Sequence, residues 1–285
     1  LLRRSFPDVK IYGTQGEIDA LWDKEDRKID YSLPIGQTCE YFRNSDNDFS
    51  GKPYLKPCPN RKEMWDALFK KQSCAHNNPN CKNNKPIKKP ILGIAWTGGI
   101  PQTGSKWRKV GLDALLPILK SVDAHWVSLQ YKDASKEIKE FKQKHPEIDI
   151  VQYHHGTLTQ DYDDTVAMVS AMDHVIAMHT TVIHVAGGLG VPCWTFVPLF
   201  SQWRYGSEGE DYVWADSVRI LRQTKSGKWD DVIGKTAEEL NALFPRISKA
   251  TGKASQSGRV LRSKSGRVRK NGQHDGRQNG DRPPA

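Results

Sequence analysis

The chain has 285 residues, of which 37% are hydrophobic and nine are Trp, and a formal net charge of +10. That length and apolar fraction support a buried core and exclude a wholly disordered polymer. The charge is uneven: from Lys249 onward ten Lys or Arg face only Asp275 and Asp281, so the tail carries +8 and residues 1–248 are near neutral at +2.

In chain order, Leu1–Pro7 looks like the end of a helix already under way, and the N-terminus reads as truncated. It lacks the long apolar stretch of a secretory signal, and no run in the chain approaches the ~18 apolar residues of a membrane span. Val9–Tyr12 is predicted as a strand and Glu63–Lys71 as a helix, with Asp30–Leu55 irregular and dotted with aromatics. Asn, Lys and Pro crowd residues 74–90, where Pro79, Pro86 and Pro90 bracket a linker. Residues 1–88 therefore read as part of an α/β domain followed by a linker. The five cysteines, at 39, 58, 74, 81 and 193, do not form a dense disulfide framework, which fits a reducing, cytoplasmic compartment. Cys58, Cys74, His76 and Cys81 have the ligand types for zinc but not the tight paired spacing, so free thiols and no metal site are expected.

After the linker, short apolar runs alternate with amphipathic segments. Ile91–Trp96, Ala124–Gln130, Asp149–Tyr153, His174–Met178 and Pro192–Val197 are predicted strands. Leu112–Ser121, Ser135–His145, Tyr162–Ala171 and Thr181–Leu189 are predicted helices. Strands separated by helices of that length imply βαβ units, a parallel sheet and helices on both faces, so 89–247 reads as one doubly wound α/β domain. Ligands of such sheets bind beyond the carboxyl ends of the strands, which directs attention to the loops after 96, 130, 153, 178 and 197. Residues 248–285 are rich in Gly, Ser, Arg and Lys and repeat Ser-Gly-Arg-Val at 257–260 and 265–268. Too few apolar groups are present to offset ordering entropy, so a disordered basic tail with an anionic partner is expected.

Two places have the composition of a ligand site. The apolar strand ending at Met178 delivers His179-Thr180-Thr181 to the first turn of a helix, where unpaired N–H groups and the helix dipole favour an anion. Thr180 and Thr181 add hydroxyls there, His184 lies one turn on, and Gly187 and Gly188 allow the helix to pack closely on the sheet. The bland alternative makes Thr180 an N-cap only and His184 a half-buried histidine. The second place is Gly98-Gly99 at the end of the Ile91 strand, followed by Lys106 and Arg108, which can neutralise a diphosphate, or else form a solvated loop.

The stretches Asp163–Ala167, Met172–Ile176, His179–Thr181, His184–Trp194 and Gln202–Tyr205 together resemble donor-domain motifs of bacterial glycosyltransferases found with tetratricopeptide repeats. That family is similar to the ADP-heptose heptosyltransferases and, more distantly, to the O-linked N-acetylglucosamine transferases. The resemblance extends through Arg219–Gln223 and Gly227–Asp230, upstream to Gly93–Gly99 and Ser128–Gln130, and loosely to Asp30–Gly36 and Pro53–Leu55. It implies a GT-B fold, with 89–247 as the complete C-terminal Rossmann-like, nucleotide-sugar-binding domain and 1–88 as part of an N-terminal, acceptor-side Rossmann-like domain.

The resemblance also implies inverting, metal-independent transfer from a nucleotide-diphosphate sugar, the donor substrate, to a glycan, lipid-linked or protein hydroxyl, with no cofactor. Thr180, Thr181 and His184 are the positions carried over for phosphate and ribose, with Gly98, Gly99 and Gly187 around them. Lys106 and Arg108 match basic positions that would stabilise the leaving group. The general base of the family lies in the amino-terminal domain and is not identified here. Many relatives have Asp-Thr where this chain has His179-Thr180, a form closer to the N-acetylglucosamine transferases, so donor sugar and base stay open. A binding module without transfer activity, or a nucleic-acid binder acting through the tail, are the competing functions.

Overall fold

The computed structural model describes residues 1–13, 29–73, 89–99, 107–159 and 161–245. Lys106, Cys74, His76, Cys81 and the basic tail expected over 248–285 lie outside the described residues.

Six strands form one sheet: β1 (Ile91–Ala95), β2 (His125–Ser128), β3 (Ile150–Val151), β4 (His174–Met178), β5 (Cys193–Val197) and β6 (Val218–Arg222). Their order is β3-β2-β1-β4-β5-β6 and every neighbouring pair is parallel. All residues of β1, β2, β4 and β5 are buried, which is why these segments are continuously apolar rather than alternating.

Successive strand residues feed opposite faces. Val175 and Ala177 join one core with Ile91, Val166 and Ile183, while Ile176 and Met178 join the other with Leu92, Trp96, Ile118 and Phe141. Helices cover both faces: α4 (Leu116–Ser121), α5 (Ser135–Lys144) and α9 (Asp230–Leu243) contribute to the second core, and α7 (Tyr162–Ser170) and α8 (Thr181–Leu189) to the first. A one-turn helix, Leu2–Ser5, counted as α1, and a short α2 (Thr38–Phe42) precede these, and α6 (His154–Thr157) follows β3.

The predicted α/β alternation is present, with β6, α9 and the one-turn α6 added. β6 did not stand out because Arg219 and Arg222 interrupt its apolar run; both are partly exposed, as an outermost strand of the sheet permits. α9 begins at Asp230-Asp231, acids that suit the positive end of a helix. The predicted strand Val9–Tyr12 is not formed among the described residues, where the Ile11 carbonyl accepts from Arg3 Nε at 3.0 Å.

Upstream of the sheet, α3 (Pro59–Ser73) is longer than its predicted core, with Pro at its first position, where a missing N–H costs nothing. It packs on α7 through Trp65 and Phe69, each 3% exposed. Residues 53–55 run across the end of α8, where the Tyr54 and Leu55 N–H groups both donate to the Gly188 carbonyl, at 2.7 and 2.8 Å. Gly190 closes α8 in the left-handed conformation at φ 75°. No helix among the described residues is long and apolar enough to cross a membrane.

Candidate functional site

The strand order reverses at β1: β2 and β3 lie to one side, β4 to β6 to the other. Chains leaving the carboxyl ends of β1 and β4 diverge to opposite faces, and the crevice between them is where doubly wound sheets take ligands. A cleft of about 420 Å³ occupies this position. Its walls include Thr97 and Arg108 after β1, Tyr131 after β2, Tyr162 at the start of α7, and Thr180 and Thr181 between β4 and α8. Four of the five loops singled out from the sequence thus converge on one space; the loop after β5 does not line it.

The β1 loop folds back on itself. The Gly98 N–H donates to the Arg108 carbonyl and the Val110 N–H to the Trp96 carbonyl, each at 2.9 Å, so Arg108 is returned to the strand end it left ten residues earlier. Its guanidinium then donates to the backbone carbonyl of His179, tying the β1 loop to the β4–α8 turn. Arg108 Nε is buried without a hydrogen-bond partner, and burial lowers the pKa of the group. Gly99 adopts φ 80°, lines the cleft, and its carbonyl accepts from the Tyr131 hydroxyl at 2.9 Å.

Thr180 is extended, at φ −126° and ψ −179°, and its residue precedes the first turn of α8 as an N-cap does. Its hydroxyl, however, makes no capping hydrogen bond and is buried with no partner. A buried hydroxyl without a partner costs on the order of 1–3 kcal/mol, so the N-cap alternative does not account for it. Thr181 is exposed at the cleft wall beside the N-terminus of a nine-residue helix. Together these groups offer hydroxyls, a guanidinium and a helix N-terminus to an anion.

Of the other predicted residues, Gly98 packs behind the wall against Thr180 and Arg108, and Gly187 serves helix packing: a Cβ there would stand 2.6 Å from the Ala215 Cβ. His184 does not line the cleft. Its Nδ1 lies 3.0 Å from the Tyr212 hydroxyl and its ring sits beside Tyr205, where burial lowers its pKa to about 4 and keeps it neutral at pH 7. His179 is likewise lowered to about 4 by burial, its Nδ1 3.1 Å from the Phe196 carbonyl.

No protein-family model matches the sequence. The chain is 26% identical over 253 residues to Protein FlbA of Caulobacter vibrioides, an alignment that takes in 84% of this chain and 39% of that protein. Among solved structures it is similar to E. coli ADP-heptose lps heptosyltransferase II, with TM-score 0.46 and 16% identity over 71% of this chain and 57% of that one. It is also similar to the glycosyl transferase family 9 structure from Veillonella parvula, with TM-score 0.41 and 10% identity over 66% and 51% of the two chains. The chain spans about two fifths of the curated relative and somewhat over half of each structural neighbour.

The sequence did not single out Tyr131 and Tyr162, which bring aromatic surface to the cleft: Tyr131 opens a loop that was singled out without its residues, and Tyr162, at the start of α7, reaches the space only through the fold. The histidines near the end of β3 are engaged elsewhere: His155 stacks on Trp65 at 4.7 Å, and His154 Nε2 is 2.8 Å from the Ser135 hydroxyl. Asp161, Asp163 and Asp164 cluster at the start of α7, with the Asp161 carboxylate accepting from the Asp163 N–H. Arg61 pairs with Asp161 and Asp164, and Arg4 with Asp163, so these carboxylates are held by cations that pack the N-terminal segments on α7.

Proposed function

We propose that this chain is the donor-binding part of an inverting, metal-independent glycosyltransferase that moves a sugar from a nucleotide-diphosphate donor to a hydroxyl of a glycan, lipid-linked or protein acceptor. The observation that carries the proposal is the cleft between β1 and β4, where the unpartnered Thr180 hydroxyl, Arg108 and the α8 N-terminus meet. The motif resemblance of 163–194 supplies the reaction class, and the cleft supplies a place for its charged substrate.

The chemistry follows from the lining. As the glycosidic bond breaks, the sugar becomes oxocarbenium-like and the leaving diphosphate gains negative charge. Fixed N–H groups, hydroxyls and a guanidinium in a part-buried wall lower the energy of that charge. Tyr131 and Tyr162 offer flat apolar faces to a base or a sugar ring, with the Tyr131 hydroxyl held on Gly99. The attacking hydroxyl needs a general base, and the cleft walls described here are made of Thr, Tyr, Arg, Gly and aliphatic side chains. The proposal therefore assigns this cleft to the donor.

A thermal-shift series with UDP-, GDP-, ADP- and TDP-sugars tests it. A ligand that binds only the folded state adds about 2.7 kcal/mol at one hundred times its dissociation constant, a rise of about 5–10 °C for a chain of this size. Transfer of isotope-labelled sugar by the full-length protein then separates turnover from binding. A flat response to every nucleotide sugar would defeat the assignment.

A further inference from the structure

Most arginines among the described residues are held by carboxylates or backbone carbonyls. Arg4 lies 2.6 Å from Asp163, Arg61 2.6 Å from Asp161, and Arg219 2.6 Å from Glu210. Arg222 donates its guanidinium to a ring of backbone carbonyls, among them Gly209 at 2.8 Å. Two differ. Arg108 and Arg204 form no ion pair among the described residues, and the Nε of each is buried without a hydrogen-bond partner.

These two stand on either side of one turn, Arg108 in the cleft wall and Arg204 outside the cleft lining. Arg108 follows β1 and Arg204 follows β5, in the 3-10 turn Trp203–Tyr205, while β4 lies between β1 and β5 in the sheet and ends in His179-Thr180. Arg108 donates to the His179 carbonyl, and Tyr205, next to Arg204, packs edge-on against the His179 ring at 5.3 Å. The charge of Arg204 bears on Arg108, His179 and His184, and the titratable groups bearing on Arg108 are Tyr205, Tyr131 and Arg204, none of them a carboxylate. Both histidines are neutral at pH 7 and so add no positive charge. Two part-buried guanidiniums with no carboxylate between them repel each other, and a multiply charged anion between them removes that cost.

We propose that Arg204 is a second anchoring cation of the anion site, and that Arg108 and Arg204 together grip a diphosphate across the β4–α8 turn, selecting it over a monophosphate. This rests on the assignment of the cleft to a nucleotide-diphosphate donor and adds a residue and a charge requirement to it. A diphosphate matches the pair because its two phosphates can each meet one forked guanidinium, whereas a monophosphate can satisfy only one fully.

The test is calorimetric titration of inorganic pyrophosphate and inorganic phosphate into the parent protein, Arg204→Met, Arg204→Lys and Arg108→Met. The parent is expected to prefer pyrophosphate at least tenfold. Arg204→Met should weaken pyrophosphate at least tenfold while leaving phosphate within about threefold, and Arg204→Lys, which restores the charge but not the fork, should restore part of the preference. Without ligand, Arg204→Met should melt no lower than the parent, because it removes an uncompensated charge. A parent-like pyrophosphate affinity in Arg204→Met, with Arg108→Met impaired, overturns the role of Arg204 and leaves the cleft assignment standing. A melting temperature lowered by more than about 5 °C in both Arg204 variants makes the residue structural and overturns it as well. If the parent binds neither anion, the donor-site assignment falls together with this one.

Discussion

A Cβ placed on Gly98 would stand 2.4 Å from the Cγ2 of Thr180, so the loops leaving β1 and β4 touch at a point where one of them has no side chain. Only hydrogen at this position lets the Thr180 hydroxyl keep its place in the cleft wall. Gly98→Ala is expected to displace Thr180, weaken nucleotide binding at least tenfold, and lower the melting temperature by a few degrees, since overpacking costs about 1–3 kcal/mol. Gly111→Ala is the control, because a Cβ there meets nothing within 4 Å. Equal affinities for the two variants, measured by titration with the best nucleotide sugar, would show that the contact is immaterial.

The docking of α3 gives a second expectation. Trp65 is 3% exposed, stacks on His155 at 9° between ring planes, meets Tyr153 edge-on, and lies 2.9 Å from where a Gly156 Cβ would be. Trp65→Ala should cost about 3–5 kcal/mol in denaturant unfolding, as removal of a buried Trp does elsewhere. Nucleotide affinity at saturating folded protein should be unchanged, because Trp65 is not a cleft residue. A cost below about 1 kcal/mol would mean that α3 adds little to the stability of the sheet domain.

The sequence revealed much of the sheet and less of the site, for physical reasons visible in particular residues. Strands β1, β2, β4 and β5 are buried on both faces, so their composition alone marks them; β6 carries Arg219 and Arg222 and does not advertise itself. The turn from Met178 into α8 was legible because an apolar run ending in two threonines has few other uses. The orientation of His184 was not: helical spacing places it one turn past Thr181, but only the chain returning after β5 reveals that it faces Tyr205 and Tyr212. Arg204 stood in a recognised stretch without a role, since its lack of an acidic partner is a fact of three dimensions. Gly187 reads from the sequence as a packing glycine, which its contact with Ala215 fits, and only the resemblance sets it beside the donor.

Burial lowers the pKa of His174, His179 and His184 from 6.5 to about 4. The folded protein keeps them neutral, while an unfolded chain takes up protons below about pH 6.5. Their contribution is thus fully present above pH 6.5 and is lost as the pH falls toward 4, by at most roughly 3 kcal/mol for each. Carboxylates held low, such as Asp149 and Glu210, lose stability as the pH falls through their unfolded values of 3.8 and 4.5, so the window from about 6.5 to 5.5 isolates the histidines. Melting temperature should decline across that window. His174→Leu, which replaces a ring packed on Trp194 and Phe244 and carrying an unpartnered Nε2, should remove about a third of the decline. A level profile in the parent would show that these imidazoles protonate without penalty.

The Thr180 hydroxyl separates a ligand role from a folding role most cleanly, because the two make opposite demands on stability. Thr180→Val keeps the branched shape and removes an oxygen that is buried and has no partner. If the hydroxyl served the fold, its loss would destabilise; since it is unsatisfied, the isosteric change should leave the melting temperature level or raise it, by about 1 kcal/mol in stability. Binding should move the other way, with nucleotide affinity falling by about 1–3 kcal/mol, the worth of a hydrogen bond to a charged group. Thr181→Val, at the exposed wall, should lose affinity with no change in melting. His184→Ala should behave differently from both: it empties a space beside Tyr205 and Tyr212 and should lower stability first, with affinity reduced only through the packing of that side of the turn. Titrations and melts on the same three proteins settle the matter. A Thr180→Val protein that melts lower and binds as the parent does would make Thr180 part of the scaffold and remove the main physical support for an anion seat at the β4–α8 turn.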